Sequence, residues 1–96
     1  MDLVKLHKDS RDLLERLAAR LAPEKVTHYR TLSDVGEWIE LVDLMCATLV
    51  KGRIPVTPQE RDSLAALLAM FEGPREGYAY VSDPERVLSQ LTVVPA

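Results

Sequence analysis

The stretch that most restricts what this chain can become runs from Asp34 to Val50. It holds the only tryptophan, the only cysteine, and four acids with no base. At about 100° per residue, Val35, Trp38, Ile39, Val42, Met45, Cys46, Leu49 and Val50 fall on one arc of roughly 140°. Asp34, Glu37, Glu40 and Asp43 follow one another at three-residue steps. Each such step falls about 60° short of a full turn, so the carboxylates form a slanted ribbon. Gly36, Leu44 and Ala47 share the acidic side. The segment therefore predicts a helix with one face toward a core and a negative face that carries one leucine, Leu44.

The remaining elements are set by period and punctuation. Leu3, Leu6, Leu13, Leu14, Leu17 and Leu21 recur at helical spacing, which predicts an amphipathic helix over 3–21. Pro23 stops it or opens the next, with Glu24 suited to the positive end of that helix. Val26, Tyr29 and Leu32 space as a second helix over 24–35. Gly36 predicts a break, and Asp34 and Glu37 read as cap and third helical residue of the central helix. That helix then spans 37–51, closed by Gly52. Ile54-Pro55-Val56 is an extended link.

Thr57-Pro58-Gln59-Glu60 is a capping box with proline at the first helical position, and it opens a helix over 58–72 that ends at Gly73-Pro74. Tyr78 to Val81 alternates like an extended segment without a partner strand. Ser82-Asp83-Pro84-Glu85 can cap a short last helix over 84–91, and the apolar tail 92–96 docks or frays. The expected fold is all-α: one domain over 1–96, a small bundle of four main helices with a short fifth. Residues 1–2 and 92–96 are free to fray. Short links favour antiparallel neighbours around the central helix. The expected core is Leu13, Leu17, Trp38, Val42, Met45, Leu49, Leu64, Leu68 and Phe71.

Charge separates the function classes. The net charge of −3 is uneven. Residues 1–30 carry seven bases and five acids, residues 31–50 four acids and no base, and residues 51–96 five bases and six acids. An acidic band between milder flanks argues against a nucleic-acid partner, which needs a basic footprint, and favours a basic one. No run of eighteen apolar residues is present, so no membrane span is expected. The N-terminus does not read as a signal peptide. A single cysteine suits a reducing cytoplasm.

Catalytic chemistry finds no set of residues to work with. His7 and His28 fall on different helices, outside any close ligand set. Cys46 lies on the apolar face, where a buried structural thiol is expected. No phosphate cradle or zinc-protease motif occurs. Glu37 and Glu40 alone are too few ligands for a divalent ion. Neither a catalytic residue, a metal nor a cofactor is expected.

Across about half the chain, Glu24 to Phe71, an ordered set of features stands out. A short helix ends at Leu32-Ser33-Asp34-Val35, followed by Gly36-Glu37 and the apolar helix from Trp38 to Leu49. A link ends in Ile54-Pro55-Val56-Thr57, and a capped helix starts at Pro58-Gln59-Glu60. This order resembles the small all-helical immunity proteins of bacterial polymorphic-toxin systems, the MafI-type group. That pattern has alanine and leucine soon after its Gly-Glu pair, where this chain has Trp38-Ile39 and Glu40-Leu41.

The resemblance implies a non-enzymatic protein that binds and neutralises a cognate toxin domain made by the same cell; the expected location, from the lone cysteine, is cytoplasmic. Glu37, Glu40 and Asp43 would steer a basic toxin, and Leu44 with an exposed Tyr29 would anchor it. Each feature also has a plainer reading: a solvated acidic face, a leucine touching a neighbouring helix, a tryptophan in the core. The alternatives in function are a helical adaptor that dimerises through the central helix, or an accessory subunit of a larger enzyme. A helix-turn-helix is disfavoured, because the helix after Ile54 carries Glu60, Asp62 and Glu72 against Arg61.

Overall fold

Asp2 starts the first helix, α1 (Leu3–Leu17), by accepting the Lys5 N–H at 3.0 Å. The structure, a computed structural model, describes residues 1–71 and 73–95. Leu6, Ser10, Leu13, Leu14 and Leu17 form the buried stripe of α1. On its outer face Lys5–Asp9, Lys8–Asp12 and Arg11–Glu15 pair at four-residue spacing. The expected helix to residue 21 stops at 17 and tightens into one 3-10 turn, Ala18–Arg20.

Pro23 occupies the first turn of α2 (Pro23–Asp34). Gly36 ends that helix. At φ +82° it takes a backbone conformation that few side chains tolerate. There the Gly36 N–H reaches Ser33 O at 3.3 Å and the Glu37 N–H reaches Leu32 O at 2.9 Å, which satisfies two orphan carbonyls in the Schellman pattern. The expected break at Gly36 is thus a left-handed helix cap. Asp34 and Glu37 do not cap the next helix as expected. Asp34 pairs with Arg11 at 2.9 Å, and Glu37 sits at the N-cap of α3 (Trp38–Lys51) with no side-chain bond.

α3 buries Leu41, Val42, Met45, Cys46 and Leu49. Its end repeats the Schellman pattern, with Ile54 N–H to Leu49 O at 3.1 Å and Arg53 N–H to Val50 O at 3.4 Å. The left-handed residue here is Arg53, φ 49°, rather than Gly52. Gly52 is needed for space, since a Cβ there would lie 2.9 Å from Thr48 O and 3.3 Å from Ile54 Cδ1.

β1 (Pro55–Val56) leads into α4 (Pro58–Leu68), whose capping box forms as expected. Thr57 Oγ1 accepts the Glu60 N–H, and Glu60 Oε1 accepts the Thr57 N–H. α4 is regular to residue 68 and turns through Phe71, shorter than the expected 58–72; Glu72 lies outside the described residues. Residues 76–77 and 79–82 are turns, so the segment 78–81 is not the extended one expected. Asp83 caps α5 (Pro84–Gln90) by accepting the Arg86 N–H. The tail then docks: β2 (Thr92–Val93) pairs in parallel with β1, Pro55 opposite Thr92 and Val56 opposite Val93.

The fold is the small all-α bundle that the sequence predicts, around one core. That core runs from Leu6 through Leu14, Leu17, Leu41, Met45, Leu49, Leu64 and Leu68 to Val81 and Val87. Its centre is shared. α1 packs on α2, α3 and α4, whereas α3 packs on α1, α2 and α5. All expected core residues are buried except Trp38, which is half-buried against the core.

Candidate partner-binding surface

α3 positions four of the five residues that the sequence offers for binding, and the structure divides them. Glu37, Glu40, Leu44, Ala47, Thr48 and Lys51 lie within about 100° of one another around the helix. This outward stripe is acidic at its N-terminal end, apolar in the middle and basic at its C-terminal end. Among the described residues neither Glu37 nor Glu40 is ion-paired. Leu44 is half-buried and lines an open groove of about 440 Å³ between α2 and α3.

Asp43 does not belong to this stripe. It is turned about 120° from Glu37, and its Oδ1 accepts the N–H groups of Tyr80 and Val81 at 2.9 and 3.0 Å. A charged acceptor shared by two backbone donors gives strong hydrogen bonds. The expectation that Asp43 steers a partner is corrected on this ground: its carboxylate holds the 78–81 turn against α3. Tyr29 is corrected too. It is 4% exposed, with its hydroxyl 2.7 Å from Thr48 Oγ1 and 3.4 Å from Leu44 O. It supports the wall of the groove from inside and cannot act as an exposed anchor.

At the acidic end the α2–α3 corner presents apolar surface. Val35, expected on the apolar arc, is 66% exposed at the C-cap of α2. Trp38 folds back across the corner and donates its Nε1–H to Ser33 O at 3.0 Å. His7 stacks on the indole, with centroids 5.0 Å apart and planes 19° apart. Gly36 lies beneath the ring, where an added Cβ would stand 3.8 Å from it. The sequence sets His7 on the first helix, and nothing local pairs it with Trp38, thirty-one residues away.

With this geometry in place, comparison with protein-family models, curated proteins and solved structures finds no match. The chemistry therefore rests on the residues themselves. Among the described residues no group of three or more His, Cys, Asp or Glu could hold a metal ion. No helix among them is long and apolar enough to cross a membrane. Cys46 is fully buried, and burial pushes its thiol up to about 12, with Asp43 adding to the shift. Since the thiolate is the nucleophile, such a thiol is inert near neutrality. An alkylating reagent at pH 8 is expected to leave Cys46 unmodified in the native protein and to label it at once in guanidinium. Rapid native labelling, read by mass spectrometry, contradicts this placement.

Proposed function

We propose that this protein is a non-enzymatic immunity protein that binds and neutralises a cognate toxin domain through the acidic end of α3 and the α2–α3 corner beside it. The observation that carries the reading is the placement of Glu37 and Glu40. They remain unpaired among the described residues while Asp34 and Asp43 are taken up by Arg11 and the 78–81 turn. Beside them stand exposed Val35 and the half-buried indole of Trp38. Unpaired carboxylates next to apolar surface suit a basic partner: the charges speed encounter, and the desolvated apolar groups supply most of the affinity. The resemblance over residues 24–71 points to the same class, and Leu44 extends the contact along the stripe.

The test is protection of cells expressing the toxin domain encoded beside this gene, together with association kinetics of the two purified proteins. The wild-type protein is expected to protect. Glu37→Lys with Glu40→Lys is expected to slow association at low salt by about 10-fold or more and to abolish protection. Glu76→Lys, in the exposed turn after α4, is expected to change neither. Absence of protection by the wild type, or unaltered association of the double variant at low salt, defeats the proposal.

Dimerisation through α3 is less well supported. The apolar face of α3 is used within its own core, and Leu44 is the only large apolar residue on the outward stripe. A stable dimer commonly buries about 800 Å² or more on each partner.

A further inference from the structure

Among the described residues the large apolar side chains most open to solvent are Val4, 81% exposed, and Val35, 66% exposed. Leu3, beside Val4, is 55% exposed. Leu3 stands seven residues before Ser10 and within about 20° of it around the helix. Ser10 is fully buried, so the inward stripe of α1 continues for a turn beyond the edge of the core. Single apolar residues scattered over a surface are ordinary; these are not scattered.

Two contacts a turn apart hold α1 against the α2–α3 corner. Arg11 Nη1–H donates to Asp34 Oδ1 at 2.9 Å, and the His7 ring lies on the Trp38 indole with centroids 5.0 Å apart. Leu3 and Val4 are four and three residues before His7, so they flank it one turn nearer the N-terminus. Val35 follows Asp34 directly and precedes the Gly36 that lies beneath the indole. The aromatic pair therefore joins apolar surface from the start of α1 to apolar surface from the corner.

Charge decides what can cover this surface. At this end of α1, Lys5, Lys8 and Arg11 are matched by Asp9, Asp12 and Asp34. Glu37, next to Trp38, and Glu40, one turn on, have no basic partner among the described residues. The surface is thus apolar at its centre and negative at one border. A second copy is disfavoured: a two-fold contact sets the same patch on itself and brings the unpaired carboxylates of both copies into one interface, where like charges cost affinity. Anionic lipid and nucleic acid are repelled for the same reason. The complement is a cationic protein surface with an apolar centre.

We infer that Leu3, Val4 and His7 on α1 are the second half of the partner surface, receiving an apolar side chain of a basic protein whose lysines or arginines reach Glu37 and Glu40. This rests on the reading that the acidic end of α3 meets a basic toxin domain, and it adds the residues that hold the complex once formed. Charges act mainly on encounter, and buried apolar contacts on dissociation.

Val4→Asp separates the two effects. The added negative charge favours a basic partner, and an acid in the first turn suits α1, so the fold is kept. Surface plasmon resonance against the toxin domain encoded beside this gene is expected to show dissociation about tenfold faster for Val4→Asp, with association no slower than for the wild type. His7→Ala, with unchanged circular dichroism, is expected to speed dissociation as well. Unaltered dissociation of either variant overturns the inference; if Glu37→Lys with Glu40→Lys still slows association, the immunity reading survives without it. No binding by the wild type overturns both. A dimer seen by light scattering that Val4→Asp dissolves gives the surface to a second copy and also overturns the inference.

Discussion

Leu41→Ala is expected to destabilise the protein by about 3 kcal/mol, and Val50→Ala by only about 1 kcal/mol. The difference comes from how α3 is rotated. The sequence pattern places Val35, Trp38, Ile39, Val42, Met45, Cys46, Leu49 and Val50 inward, and Leu41 outside that arc. In the structure Leu41, Val42, Met45, Cys46 and Leu49 are buried, while Ile39 and Val50 are half-buried. The buried arc has the expected width but is rotated by about 40° toward Leu41. Removing the three terminal carbons of a fully buried leucine loses their transfer free energy and leaves a cavity. At Val50 water or a rotamer change can fill the space. Thermal unfolding measures both: a fall of roughly 15 °C for Leu41→Ala, against a few degrees for Val50→Ala. If Val50→Ala proves the more damaging, α3 is turned as the bare pattern suggests, and the groove beside Leu44 is misplaced with it.

Glu60→Ala is expected to cost about 2–3 kcal/mol, more than the loss of a helix cap alone. Glu60 is 5% exposed. Oε1 accepts the Thr57 N–H at 2.9 Å and Arg20 Nη1–H at 2.6 Å, and Oε2 accepts Arg20 Nη2–H at 3.0 Å. Arg20 Nη1–H also reaches Pro55 O at 3.1 Å. One carboxylate thus closes the start of α4 and ties it to the 3-10 turn after α1. Arg20 keeps a third of its side chain in solvent, so losing its partner leaves it hydrated and limits the penalty. Glu60→Gln, which can keep the capping bond but not the charge, is expected to cost about half as much.

The same carboxylate gives a pH signature. The Arg20 guanidinium, helped by the Thr57 N–H, holds Glu60 below its ordinary value, against the opposing effect of burial. A carboxylate lowered on folding binds its proton more readily when unfolded. Its contribution is therefore complete above the unfolded value and is lost as pH falls through the folded one. Glu15 acts in the same direction: Arg30, with Arg11, lowers it to about 2, but its exposed pairs add little. Stability measured by urea unfolding is expected to fall as pH drops from about 4.5 toward 2, less steeply in Glu60→Gln than in the wild type. An identical slope in both proteins is incompatible with the bidentate pair.

Much of the architecture could be read locally. Thr57, Pro58 and Glu60 lie within four residues, and the box they predict depends only on backbone groups they can reach unaided. Gly36 announces a break because a left-handed residue is cheap only without a Cβ. The candidate site was less legible. Asp43 continues the three-residue acidic step, and nothing nearby shows that its carboxylate is taken by N–H groups thirty-seven and thirty-eight residues later. Tyr29 has an amphipathic side chain suited to a surface or an interior, and its choice was made by Thr48 on the facing helix. The tail from Thr92 carried β-branched residues but no sign that its partner would be Pro55–Val56.

What the sequence determined by itself is the set of helices, the caps that open α4 and α5, the position of the break and the existence of one apolar and one polar side to α3. These are short-range properties: period, cap chemistry and glycine sterics act within about a turn or two. What only the tertiary structure decided is the rotation of α3, and with it the role of each polar group. Leu41 goes inward, Val35 and Val50 lose their full burial, Asp43 and Glu60 become internal ties, and Glu37 and Glu40 stay unpaired among the described residues. The reason is that α3 must satisfy α1, α2 and α5 together. The rotation that best packs three neighbours need not be the one at which the helix's own hydrophobic pattern is centred.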